Sequence, residues 1–328
     1  MRLLVITAVL AASCLSLPGR ASEPTPPTRI LVEVRNHTAS GTAVAGDEVT
    51  LYLYRGSQQI DSRSATVGED GTAVFAGLPA GPEVSAVARV KHQNMAFRSQ
   101  PVALDPAATE LSASVQVFDV STDASKLSIG MHHLMVALRG ATLEFTEFMQ
   151  LSNSSDQAVT GRERDGQDRP VVLKIVLPKG FHDLKASSYL EPEALVMTEE
   201  GFYDTMAVPP GDHQITFSYK VDLGRGVTPI AKTITLPTAH LMIFWEHGQG
   251  ALEGLGAPSD RLVNADGIPI EYYRRTDLRP GDELAFQIAG LKGKRSDVST
   301  WVVLGAVFAA ILIVALLRFR SPPAEPEP

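Results

Sequence analysis

The sequence predicts an all-β protein: two β-sandwich domains, over residues 28–117 and 118–290, followed by one C-terminal transmembrane helix over residues 300–317. Three observations lead there. Apolar and polar residues alternate through most of residues 28–290, which is the period of a half-buried strand. No long segment in that range carries the 3.6-residue period of an amphipathic helix, so strands must bury their apolar faces against other strands. Each chain end also carries an uncharged apolar run, and the two runs differ in length in a way that implies different fates.

The first element is "MRLLVITAVLAASCLSLPGRA", with Arg2, an apolar run from Leu3 to Ala12, and the helix breaker Pro18. The run is too short to span a bilayer, and Gly19 and Ala21 supply the small residues of a cleavage site. Residues 1–21 therefore read as a signal peptide. A competing reading makes Cys14 in "AASC" a lipid-modified N-terminus, although the polar and Pro-containing stretch after it suits ordinary cleavage better.

Strands follow. In "RILVEVRN", Ile30, Val32 and Val34 alternate with Leu31, Glu33 and Arg35. Val49, Leu51 and Leu53 do the same in "EVTLYLYRG", Val84, Ala86, Ala88 and Val90 in "PEVSAVARVKHQ", and Leu111, Ala113, Val115 and Val117 in "ELSASVQVFDV". Glu69-Asp70-Gly71 reads as a tight hairpin turn, because glycine tolerates the positive φ such a turn needs. The order "GDEVTLYLYRG", "GEDGTAVFAGLPAG", strand resembles the carboxypeptidase-regulatory-like or transthyretin-like Ig-type module over about ninety residues. Asp70-Gly71, Phe75 and Gly77-Leu78-Pro79-Ala80-Gly81 carry the resemblance, and Val84 departs from it where that family often has an aromatic. The resemblance implies an Ig-like sandwich that accompanies other envelope domains as a rigid spacer or binding unit, without catalysis of its own.

"FDVSTDASKLSI" is polar and reads as a linker. Alternation resumes in "HHLMVALRG" and in "TLEFTEFMQLSN", where Leu143, Phe145, Glu147 and Met149 oppose Glu144, Thr146, Phe148 and Gln150. "RPVVLKIVLPKG", "DHQITFSYKVDL", "AKTITLPT", "HLMIFWEHG" and "DELAFQIAGL" complete the second strand set. Thr300 to Leu317 is uncharged and about 27 Å long as a helix, with Trp301 at one edge and Arg318 and Arg320 at the other. Lys292, Lys294 and Arg295 precede it, so loop charge does not set the orientation. The export signal does, leaving the large domains outside and residues 318–328 as a short disordered cytoplasmic tail.

Composition narrows the setting. The only cysteine is Cys14, so the exported part has no disulfide, which favours a bacterial inner membrane with a periplasmic or extracellular ectodomain. With 29 basic against 37 acidic residues and no basic patch interleaved with aromatics, nucleic acid is excluded as a partner.

Catalytic motifs are missing. The sequence contains no H-E-x-x-H, no G-x-S-x-G and no S-x-x-K. "GQGALEGLG" misses the G-x-G-x-x-G spacing and precedes Pro258, so it reads as a flexible loop. "RDGQD", residues 164–168, reads as a hairpin turn in preference to part of a calcium site. In "MHHLM", His132 and His133 point to opposite faces of a strand, whereas Met131, His133 and Met135 share one. Thioether plus imidazole suits Cu(I). His240 and Met242 likewise share a face opposite Trp245 and His247. The expected function is a non-enzymatic, cofactor-free binding or scaffolding module for an envelope protein partner, held at the membrane by one span. The alternative is a metal handler using Met131, His133 and Met135.

Overall fold

The alternating runs form strands, and the strands pair into sheets that face one another across two hydrophobic cores. The computed structural model describes residues 28–224, 229–246, 250–263 and 267–289. The signal-peptide reading (1–21), the span (300–317), the tail (318–328) and His247 lie outside the described residues. Among the described residues no helix is long and apolar enough to cross a membrane. Among these residues the only helical turns are two short 3-10 segments, and the architecture is all-β and sandwich-like.

The first strand set contains β1 (Thr28–Asn36), β2 (Glu48–Arg55), β3 (Gln58–Thr66), β4 (Thr72–Leu78), β5 (Val84–His92), β6 (Met95–Arg98), β7 (Val102–Ala103) and β8 (Glu110–Val117). One sheet has the order β4-β1-β8, with β1 antiparallel to β4 and parallel to β8. The other runs β3-β2-β5-β6, with β7 also on β5. Ile30, Val32 and Val34 of the first sheet meet Val49, Leu51, Leu53 and Val90 of the second in one buried cluster, as the alternation requires. Phe75 and Leu78 are buried in the same cluster. The turn at Gly68–Gly71 is present, with Gly71 at φ +77° and its N–H donating to the Gly68 carbonyl at 3.0 Å. It is not a hairpin turn, because β3 and β4 belong to different sheets and the turn carries the chain from one layer to the other.

The expected linker is shorter than "FDVSTDASKLSI". It includes β9 (Val120–Ser121) and a 3-10 turn at Ala124–Lys126, and Leu127 already begins β10 (Leu127–Arg139). Buried Leu127 and Ile129 join the second core, which explains why the strand starts there. Next come β11 (Thr142–Asn153), β12 (Ala158–Val159), β13 (Leu173–Val176), β14 (Phe181–Ser188), β15 (Leu195–Thr198), β16 (Gly201–Asp204) and β17 (Gly211–Asp222). The set ends with β18 (Pro229–Thr233), β19 (Thr238–Glu246), β20 (Ala251–Glu253), β21 (Asp260–Val263), β22 (Pro269–Leu278) and β23 (Glu283–Ala289).

A seven-stranded sheet in the order β14-β17-β11-β10-β19-β22-β21 forms one layer, in which only β10 and β19 run parallel. Two three-stranded sheets, β13-β16-β15 and β18-β23-β20, contribute Leu173, Ile175, Phe202, Ile230, Phe286 and Ile288 to the core beneath it. The described part of "GQGALEGLG" is therefore not a flexible loop. Ala251–Glu253 is a strand on β23, because Leu252 is apolar and buries against Ile288's layer. The hairpin at "RDGQD" is present, with the Asp165 N–H donating to the Arg169 carbonyl at 2.9 Å.

Candidate functional site

Three polar constellations stand out, and two of them sit on opposite faces of the same stretch of β10. A bulge between Ile129 and Met131 resets the register there, so that Ile129 faces Leu151 but Met131 faces Gln150. His132 then points into the sandwich and His133 away from it, on the two sides that alternation assigns them.

On the inner side, β11 places Glu147 between the core residues Phe145 and Met149, with 0% exposure. A charge there requires partners. Glu147 Oε2 lies 2.7 Å from His132 Nε2, and Oε1 accepts from the Tyr219 hydroxyl at 2.8 Å. Lys232 of β18 reaches across the sandwich to Glu147 Oε1 at 2.9 Å, and also donates to the Val176 carbonyl at 2.9 Å. Burial opposes ionisation of Glu147, but the Lys232 charge and the hydrogen bond from His132 outweigh it and hold the carboxyl at about 2. Burial, then the Glu147 charge, push the Tyr219 phenol well above its usual value, so it serves as a neutral donor. Tyr219 also stacks on Phe145 with 4.8 Å between ring centroids.

A cavity of about 20 Å³ adjoins His132 and Lys232, lined also by Met149, Ile175, Ile234 and Thr238. It has room for one water molecule. Imidazole, carboxylate, phenol and ammonium resemble an acid–base set, and each is tied to another within the cluster. The arrangement acts as an ionic clamp between the two layers.

On the outer side, Met131, His133 and Met135 share one face, and Met131 and Met135 are half-buried. His133 is 5% exposed, with its ring 5.3 Å from that of Phe244 and 5.9 Å from that of Phe148. Neither of its ring nitrogens has a hydrogen-bond partner among the described residues. Burial, and then the charge on His132, lower its pKa to about 4, so the ring is neutral at physiological pH. An unsatisfied buried group of this kind costs about 1–3 kcal/mol.

The parallel ladder adds what the sequence left apart. Met242 of β19 is the register partner of His133, His240 that of Met131, and Phe244 that of Met135. Met131, His133 and Met135 of β10 and His240, Met242 and Phe244 of β19 thus form one cluster on the outer face, while Trp245 lies fully buried on the inner face. The shared Met/His alternation of the two runs was the one signal in the sequence that pointed to this. His240 Nδ1 lies 3.4 Å from Arg274 Nη2. Among the described residues no three His, Cys, Asp or Glu side chains converge on a metal-sized space.

The third constellation ties the first strand set to the chain that leaves it. Buried His92 lies between Asp47 (Nδ1 to Oδ2, 2.7 Å) and Asp119 (Nε2 to Oδ1, 3.2 Å). Asp119 also accepts from Asn36 Nδ2 at 2.7 Å and Thr42 Oγ1 at 2.8 Å. Burial opposes its ionisation, but the bonds from Asn36, Thr42 and His92 hold its pKa at about 2. Thr38 Oγ1 donates to the Asp156 carbonyl and Arg98 pairs with Glu191, so contacts continue into the second strand set. No protein-family model matches the chain, and no curated protein matches it.

Proposed function

We propose that this is a single-pass envelope protein, exported by its N-terminal signal, anchored by residues 300–317, and carrying two Ig-like sandwiches that bind an envelope protein partner. On this reading the first sandwich is the carboxypeptidase-regulatory-like spacer and the second presents the docking strand. Neither sandwich is an enzyme.

One observation carries the reading: the two edges of the seven-stranded sheet are treated differently. The β14 edge has a register break between His182 and Lys185, non-glycine residues at positive φ (Asp183 and Ser188), and an exposed lysine. Those are the devices that keep an edge from pairing with another chain. The β21 edge has no register break and no positive φ at its four residues, and beside the exposed Asp260 and Arg261 it presents Leu262 at 47% and Val263 at 69% exposure. Ile270, the register partner of Leu262, and Tyr272 continue this half-buried apolar surface inward from the edge. An exposed apolar edge strand suits capture of an extended partner segment by strand addition.

Changing Leu262→Lys and Val263→Glu together tests the reading. Both side chains are exposed, so stability should move by no more than about 0.5 kcal/mol. The yield of partner crosslinked on intact membranes and recovered with the full-length chain should fall roughly tenfold or more. An unchanged yield would remove the edge from the binding surface.

A further inference from the structure

We propose that the outer face of β10 and β19 is a soft-cation site, in which His133, Met131, Met135 and Met242 together hold one Cu(I) ion. This goes beyond the partner-binding reading and uses none of its residues.

The geometry is that of a sheet face. Met131 and Met135 flank His133 at alternate positions along β10, roughly 7 Å away on either side. Met242 stands beside it across the ladder, roughly 5 Å away. A methionine side chain has three rotatable bonds and bends over such distances, so its sulfur can reach a centre above the imidazole. Three thioethers and one imidazole match the preference of a soft monovalent ion.

His133 points to a ligand independently of its neighbours. A ring that served only packing would keep a hydrogen bond on at least one nitrogen, as buried polar groups do. His132 shows this one position earlier in the strand, with Nε2 on Glu147. His133 has no such partner at either nitrogen, so a ring nitrogen is left free to ligate. The surrounding positions argue for charge +1 over +2. The register neighbours of Met131, His133 and Met135 on β11 are Gln150, Phe148 and Thr146, and on β19 they are His240, Met242 and Phe244. None is a carboxylate, so a hard divalent cation finds no oxygen anion there. The Phe148 and Phe244 rings beside His133 keep the surroundings apolar, which penalises a second positive charge.

The test is a competition titration of the purified full-length chain in detergent, without oxygen, with Cu(I) supplied as its bicinchoninate complex. The wild type should withdraw one Cu(I) per chain. A variant with Met131→Leu, Met135→Leu and Met242→Leu keeps the volume and loses the sulfurs. It should bind at least about 100-fold more weakly, as should His133→Leu. Thermal unfolding of each metal-free variant monitors folding. If a variant fails to fold, X-ray absorption of copper on the wild type decides between a sulfur-rich shell with one nitrogen and any other shell. Zn(II) should not compete. Failure of the wild type to withdraw Cu(I), undiminished binding by the folded methionine variant, or a shell without sulfur would overturn the assignment.

Discussion

Replacing Glu147 by leucine is expected to cost about 3–5 kcal/mol of stability, and replacing Lys232 by methionine in the same chain is expected to recover a large part of it. The single change leaves the Lys232 ammonium buried, with only the Val176 carbonyl and a distant Phe217 ring face at 6.0 Å. It also strips His132 and Tyr219 of their common acceptor. An uncompensated buried charge is the costliest remnant of a broken ion pair, and the double replacement removes it. Denaturant unfolding of the full-length chain, followed through the fluorescence of buried Trp245, measures all four corners of the cycle. Costs that simply add would show that the clamp does not join the layers.

Acid should unfold the protein through the same group. The folded-state pKa of Glu147 lies at about 2, below its ordinary 4.5, so the stability it contributes is present above about pH 4.5 and is lost as pH falls toward 2. A depression of that size corresponds to about 3 kcal/mol. Asp119, also held at about 2, acts in the same direction at the junction. Buried Asp204 acts in the opposite direction: burial raises it from 3.8 to about 6, so the folded state gains stability as pH falls from 6 toward 4. Stability should therefore rise slightly from pH 7 to about pH 5 and drop steeply below pH 4. In Glu147→Gln the steep limb should flatten, and an unchanged limb would assign acid unfolding to other carboxylates.

Much of the fold was legible because one face of most strands is buried. β11 occupies the residues its alternation marks, and the inward side of Glu147 follows from the same pattern. The strands that escaped reading lack that contrast. β3 has only Ile60 and Ala65 among its nine residues as apolar side chains and lies at a sheet edge, while all four residues of β16 are buried. β21 is exposed at all four positions.

The opposite facing of His132 and His133 was equally readable, since it needs only the strand period. The partners were not. Lys232 meets Glu147 from another sheet, and Met242 meets His133 through a parallel register between strands about a hundred residues apart. Neither follows from local periodicity, because parallel pairing is set by long crossovers and not by turns.

The central claim is that the β21 edge receives a partner strand, and photo-crosslinking in intact cells tests it most directly. A photoreactive residue placed at position 263 of the full-length chain should give one discrete heavier adduct, and Leu262→Lys should abolish it. The same residue at position 185, on the protected β14 edge, should give none. Absence of an adduct from position 263, or equal adducts from both edges, would contradict the account.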